Sequence, residues 1–287
     1  MADAGVASRR ECEAMIEGGR VEVNDELVTK LPAFINPRRD KIKVDGRIVE
    51  TGNRAERRVY VMLNKPDRTL ATTRDGSAVE GNARRTVLDL VEHPSGVRLY
   101  PVGRLDYHST GLLLLTNDGD LTQRLTHARY GITQTYRVWV GGAVTDETLD
   151  MLRRRVGKRE HVDEEGRPDG GVRVDVRPGD ERPNGEVSDS TVLEIVVREG
   201  RRENIGDMLL ACGCKVKRMI RVGIGPLRMK AVAVGSWRDL FPDEVEALFD
   251  AAGLERPRTP AHRTNGRRER GWRGGGGAGR RPRESGR

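Results

Sequence analysis

Residues 103–119 constrain the fold more than any other part of the chain: Gly-Arg-Leu-Asp-Tyr-His-Ser-Thr-Gly runs into Leu112–Leu115 and closes on Thr-Asn-Asp-Gly. A polar loop leading into a short apolar run, with Asn117-Asp-Gly turn chemistry at the far end, reads as a loop mounted on a buried strand. Such a loop can present one polar group with fixed geometry, which a reactive carboxylate requires. Asp106 is the residue in that position. By local spacing alone it can equally cap a turn or pair with Arg104, two residues earlier. The choice rests on the remainder of the chain.

At 287 residues there is enough chain for one large or two modest domains. With 4% aromatic and 33% charged residues, the cores must be aliphatic. No apolar run approaches the ~20 residues of a membrane helix and the start does not resemble a signal peptide, so a soluble, cytoplasmic protein is expected. Cys12, Cys212 and Cys214 are too few and too scattered for a disulfide framework or a four-ligand zinc site, and they read as ordinary thiols. The net charge of +8 is localised: residues 258–287 carry ten arginines against Glu269 and Glu284. The rest of the chain is close to neutral, so any basic footprint on it must come from clustering on one face.

Residues 1–50 read as a small module. Ser8-Arg-Arg-Glu11 is a capping box, Cys12, Met15 and Ile16 follow at helical spacing, and Gly18-Gly19 stops the helix. Val21–Val23, the Asn24-Asp25 turn and Leu27-Val28 form a hairpin pattern, and residues 41–46 give another alternating strand. Residues 51–58 read as a linker. A second domain over 59–257 opens with a buried strand at Val59–Leu63 that Asn64-Lys-Pro66 ends. A short helix is expected at 86–91, a strand at 99–102, a helix through Leu121 and Leu125, and a strand over 133–140. Thr145 starts a helix burying Leu149, Leu152 and Val156. Residues 157–190 are an irregular excursion with a strand at 172–176. A strand at 191–197, a helix through Ile205, Met208 and Cys212, a strand at 216–224 and a helix at 242–252 complete the domain. Residues 258–287 are expected to form a disordered basic tail drawn to phosphate, with Trp272 available to stack on a base.

Three segments of the module, residues 4–10, 19–24 and 40–46, resemble in their order the small RNA-binding module first described in a small-subunit ribosomal protein. That family places its first helix just upstream of the segment beginning at Ala4, so either a module truncated at its first helix or a true start upstream of Met1 is expected. In the second domain, Leu63-Asn-Lys-Pro66, Tyr100 through Asp106, Gly111 through Gly119, Tyr136, Glu199-Gly-Arg201 and Arg218-Met-Ile-Arg221 resemble the pseudouridine synthases, specifically the branch that modifies ribosomal RNA and carries that module. The resemblance spans residues 4 to about 240 and is most specific around Asp106.

The resemblance implies cofactor-free and metal-free isomerisation of uridine in ribosomal RNA. The glycosidic bond to nitrogen breaks, the uracil turns, and its carbon 5 joins the anomeric carbon. Asp106 matches the catalytic aspartate, acting as nucleophile or as base. Tyr136 matches the tyrosine that packs on the flipped base, and its phenol could also move a proton. Arg104 matches the arginine beside the catalytic loop; with Arg9, Arg10, Arg20, Lys65, Arg201 and Arg221 it makes up the expected RNA-binding set. Three positions depart from the family pattern: His108 replaces Asp or Asn, Gln134 replaces Lys or Arg, and Gly206 stands where the arginine that pairs with the catalytic carboxylate falls. A buried aspartate without a cation would have its pKa raised by desolvation. The expected architecture is therefore α+β: a catalytic domain on a mixed or antiparallel sheet, tethered to an RNA-binding module. Its partner is ribosomal RNA, with no membrane and no call for more than a monomer. The competing reading is an RNA-binding relative that has lost catalysis and serves as a ribosome-assembly factor.

Overall fold

The computed structural model describes residues 1–2, 4–36, 39–49, 58–76, 83–141, 144–156, 175–177, 190–198 and 205–256. The proposed linker core, most of the 157–190 excursion, Arg201 and the basic tail lie outside the described residues.

Near the N-terminus, α1 (Arg9–Glu17) begins at Ser8, whose hydroxyl accepts from the Glu11 N–H while the Glu11 carboxylate accepts from the Ser8 N–H. That reciprocal cap satisfies two of the helix's orphan donors, as the Ser-x-x-Glu pattern requires. Strands β1 (Val21–Val23), β2 (Glu26–Leu27), β3 (Ile42–Val44) and β4 (Arg47–Ile48) form an antiparallel sheet in the order β2-β1-β3-β4. Both of its two-residue turns have positive φ at each central position, Asn24-Asp25 and Asp45-Gly46. Those are the residue types that tolerate the left-handed conformation such tight hairpins demand.

The larger sheet has nine strands among the described residues. Its main path runs β13 (Trp237–Asp239), β5 (Tyr60–Lys65), β7 (Thr110–Thr116), β11 (Val216–Ile224), β8 (Thr133–Gly141), β10 (Ser190–Arg198), β9 (Asp175–Arg177). Strand β6 (Tyr100–Val102) pairs with β7 and β12 (Leu227–Arg228) with β11. All pairings are antiparallel except β7 with β11, so the sheet is mixed. Helices α2 (Gly119–Thr126), α3 (Asp146–Val156), α4 (Ile205–Ala211) and α5 (Pro242–Ala252) pack around it. Alternate residues of the central strands feed two aliphatic cores: Leu113, Leu115, Val138 and Ile195 belong to one, Leu112, Leu114, Leu121 and Leu248 to the other. A four-leucine run buried on both faces is what a central strand between two layers needs. No helix among the described residues is long and apolar enough to cross a membrane.

Four elements differ from the sequence expectation. Strand β5 continues through Asn64 and Lys65 rather than ending before them, because both residues pair with β7. The segment expected as a short helix at 86–91 is a single 3-10 turn, Leu88–Leu90. Strands β12 and β13 carry too few residues for a periodic signal and are held by their partners' edges.

Candidate active site

One cross-strand row builds the site. Lys65 on β5 pairs with Gly111 on β7, Gly111 with Arg221 on β11, and Arg221 with Tyr136 on β8. The glycine is compulsory there. Gly111 has φ +107°, and a Cβ would lie 2.3 Å from the Arg221 carbonyl oxygen and 2.7 Å from Ile220 Cγ2. No side chain fits that approach, so the β7 and β11 backbones pack directly against each other between the two cations of the row.

The loop carrying Asp106 lies over this row. Leu105 is buried between exposed Arg104 and exposed Asp106, so one apolar anchor turns both polar neighbours outward. The Ser109 N–H closes a turn on the Asp106 carbonyl at 3.0 Å. Lys65 Nζ, fully buried, donates to the carbonyls of Ser109 at 2.7 Å and of Tyr107 and Pro66 at 3.2 Å each. Arg221, 1% exposed, donates from Nη1 to the Arg104 carbonyl at 3.2 Å and from Nε to the Leu112 carbonyl at 2.8 Å. Carbonyls at 104, 107 and 109 are thus held from below on either side of Asp106. Fixing backbone dipoles with buried cations satisfies the charges and rigidifies the loop together.

Burial pushes the Lys65 ammonium down to about 8, Asp67 and Asp106 pull it back up, and Arg221 lowers it further. A lysine so enclosed is no surface contact for a phosphate. The expectation that Lys65 and Arg221 touch RNA meets their burial: Lys65 Nζ donates to backbone carbonyls, and Arg221 donates to the Arg104 and Leu112 carbonyls and to Gln134. The supposition of a buried carboxylate also changes. Asp106 is an exposed residue. Gly206 itself occupies the first turn of α4. His108, expected to place a titratable group beside Asp106, pairs with Asp67 at 3.0 Å on the outer surface, tying the loop to the end of β5.

Tyr136 is buried on β8 and its hydroxyl donates to Gln134 Oε1 at 2.5 Å; Arg221 Nη1 donates to the same oxygen at 3.0 Å. Gln134 is itself buried. In the sequence it is merely a departure from a cationic norm. Its role as a shared acceptor depends on Arg221, 87 positions away, which no local signal reveals.

The remaining expected contacts spread over the surface. Arg104 is exposed beside Asp106. Arg9 lines a cleft of about 570 Å³ between the start of α1 and the start of α2, together with Arg98 and Gln123. Arg10 is exposed, whereas Arg20 is engaged in a two-pronged ion pair with Asp45 at 2.8 and 2.5 Å. Sequence reasoning missed a further cluster. Arg124 and Arg129 each place a guanidinium 4.5 Å from the Tyr130 ring centroid, in the turn after α2. That helix end adjoins the base of the Asp106 loop, since a Cβ on Gly103 would lie 3.7 Å from Thr126 Cγ2. No carboxylate pairs with Arg124 or Arg129 among the described residues. Two cations stacked on one aromatic ring make a surface suited to phosphate and base together.

Residues 59–211 match the RNA pseudouridylate synthase family, and residues 1–31 match the S4 domain. An uncharacterized RNA pseudouridine synthase of Aquifex aeolicus is 39% identical over 89% of this chain and 94% of its own length. The ribosomal large subunit pseudouridine synthase B of Bacillus subtilis is 33% identical over 86% of this chain and 93% of its own length. A crystal structure of a pseudouridylate synthase shares the fold at TM-score 0.51 and 23% identity, covering 86% of this chain and 96% of that one.

Proposed function

The chain belongs to the RNA pseudouridylate synthase family, and from that premise we propose that it isomerises uridine to pseudouridine in ribosomal RNA, using Asp106 as its catalytic carboxylate. The observation that carries the assignment is the clamp: buried Lys65 and Arg221 hold the carbonyls on both sides of Asp106, itself an exposed residue. A residue that only capped a turn would need no such support. Held there, the carboxylate can serve the anomeric carbon as its bond to nitrogen breaks and its bond to carbon 5 forms; the proton lost from carbon 5 is matched by one gained at the freed nitrogen, so no atom is gained or lost. Positioning of this kind lowers the barrier without a cofactor.

A ribose inside a structured RNA is reached only when its nucleotide turns out of the stack, at a cost of a few kcal/mol. Tyr136 offers the ring against which the turned base packs, and exposed Arg104 holds phosphate or fills the vacated stack. Arg124, Tyr130 and Arg129 extend the contact along the strand, and Arg9 and Arg10 of the N-terminal module add a second foothold. Arg201, outside the described residues, remains in the proposed RNA-binding set on its motif alone. The relative from B. subtilis is named for the large ribosomal subunit, which makes unmodified large-subunit RNA the first substrate to test. Incubation of that RNA and of small-subunit RNA with the protein, followed by chemical mapping of pseudouridine, is predicted to give one or a few discrete sites. Absence of product on both RNAs, with binding retained, would instead support the catalytically silent RNA-binding reading.

A further inference from the structure

We propose that Gln134 is a positioning residue for the reaction, a buried acceptor that fixes the Tyr136 ring and couples it to the arginine supporting the Asp106 loop. The inference rests on the reading of Asp106 and Tyr136 as site residues. It begins with which groups can donate. A guanidinium has N–H donors and no acceptor, so the atom of Gln134 that faces Arg221 Nη1 at 3.0 Å must be its carbonyl oxygen. The same oxygen lies 2.5 Å from the Tyr136 hydroxyl, and an oxygen that only accepts obliges the phenol to donate.

Two consequences follow. The phenol hydrogen is committed to Gln134, so Tyr136 acts through its ring rather than as a general base. The chain of contacts also runs unbroken from Tyr136 through Gln134 and Arg221 Nη1 to the Arg104 carbonyl at 3.2 Å. The platform for the base and the loop bearing the carboxylate are therefore positioned by one buried network. Gln134, Tyr136 and Arg221 are 9%, 8% and 1% exposed. In such surroundings the geometry is set by the hydrogen bonds, because water cannot replace a lost partner. A lysine or arginine at 134 could not do this, since it would set a second cation against Arg221 and offer no acceptor. Arg221 Nη2 is buried without a partner among the described residues, so a glutamate at 134 has a spare donor to capture.

The test uses full-length protein and ribosomal RNA, with Gln134→Met, Gln134→Glu and Tyr136→Phe. Gln134→Met keeps the length and removes the acceptor of both the Tyr136 hydroxyl and Arg221 Nη1; it is expected to lower kcat about tenfold or more, with KM unchanged. In the Tyr136→Phe background the same change should cost less than in the parent, because the bond to the hydroxyl is already gone and only that to Arg221 remains. Gln134→Glu, which keeps an acceptor, should stay within about threefold of the parent. The same cycle read by denaturation midpoint should be non-additive, and this readout needs no substrate. Equal losses in both backgrounds, an additive stability cycle, or a Gln134→Glu variant as slow as Gln134→Met would each overturn the proposal. If wild type makes no pseudouridine, the functional reading fails while the stability cycle still decides whether Gln134 and Tyr136 are coupled. If wild type makes product and Gln134→Met matches it, only the role of Gln134 fails.

Discussion

Lys65 carries the most charge-sensitive role in the site. Its folded pKa of about 8 lies below the ordinary 10.5. Below about 8 the ammonium is charged in folded and unfolded chains alike, and the cost of burying it is fully present. Between about 8 and 10.5 the unfolded chain binds more protons, so the Lys65 contribution to stability rises with pH, by about 3 kcal/mol across the window. The unfolding free energy of wild type relative to Lys65→Met should therefore increase from pH 8 to pH 10.5; a flat or falling difference would contradict the shifted lysine. Activity should move the other way. A neutral amine has two hydrogens for three carbonyls, so the rate is expected to fall above about pH 8 as the clamp on 107 and 109 loosens, and that limb should be missing from Lys65→Met. The sequence pointed to Asp106, Arg104 and Tyr136 because a motif and a pattern carry them. It read Lys65 and Arg221 as surface contacts because basic residues in an RNA-binding context suggest that, whereas both are buried. Their burial follows only from the strand pairing that sets them side by side.

At the scale of elements, everything turns on the join of β7 and β11, the one parallel pairing in the sheet among the described residues. Gly111 permits it, and Gly111→Ala is predicted to cost more than about 3 kcal/mol in denaturant unfolding or to prevent folding, since both φ and the 2.3 Å approach forbid a methyl group. A variant of ordinary stability would mean that β7 and β11 meet otherwise. Local chemistry made most elements legible in advance. The Ser8-x-x-Glu11 cap, the Asn24-Asp25 turn, the Leu112–Leu115 run and the α5 boundaries all appear where composition and spacing put them. The order of the strands was not legible, since it depends on pairings between residues as far apart as 64 and 236, whose backbones bond in the β5–β13 edge.

For the molecule as a whole, the question is where an RNA strand can lie. The net charge of +8 gives no answer, being matched by the C-terminal arginines. Surface arginines such as Arg84, Arg238 and Arg256 are taken up by Asp75, Glu244 and Asp250. Those beside the Asp106 loop, Arg124 and Arg129, have a tyrosine ring instead of a carboxylate. Replacing both by glutamine is predicted to weaken RNA binding at low salt and to lower the slope of log affinity against log salt by about 1.4, roughly 0.7 for each phosphate released. An unchanged slope would place the strand elsewhere.

The proposed isomerisation of ribosomal RNA depends on a carboxylate at 106, held from below by buried cations. It is tested most directly by comparing wild type with Asp106→Asn, nearly identical in shape, on the same unmodified RNA and mapping pseudouridine at single-nucleotide resolution. The prediction is a discrete wild-type product, none above background from Asp106→Asn, and equal RNA affinity for the two. Product from Asp106→Asn at the wild-type position and rate would contradict it.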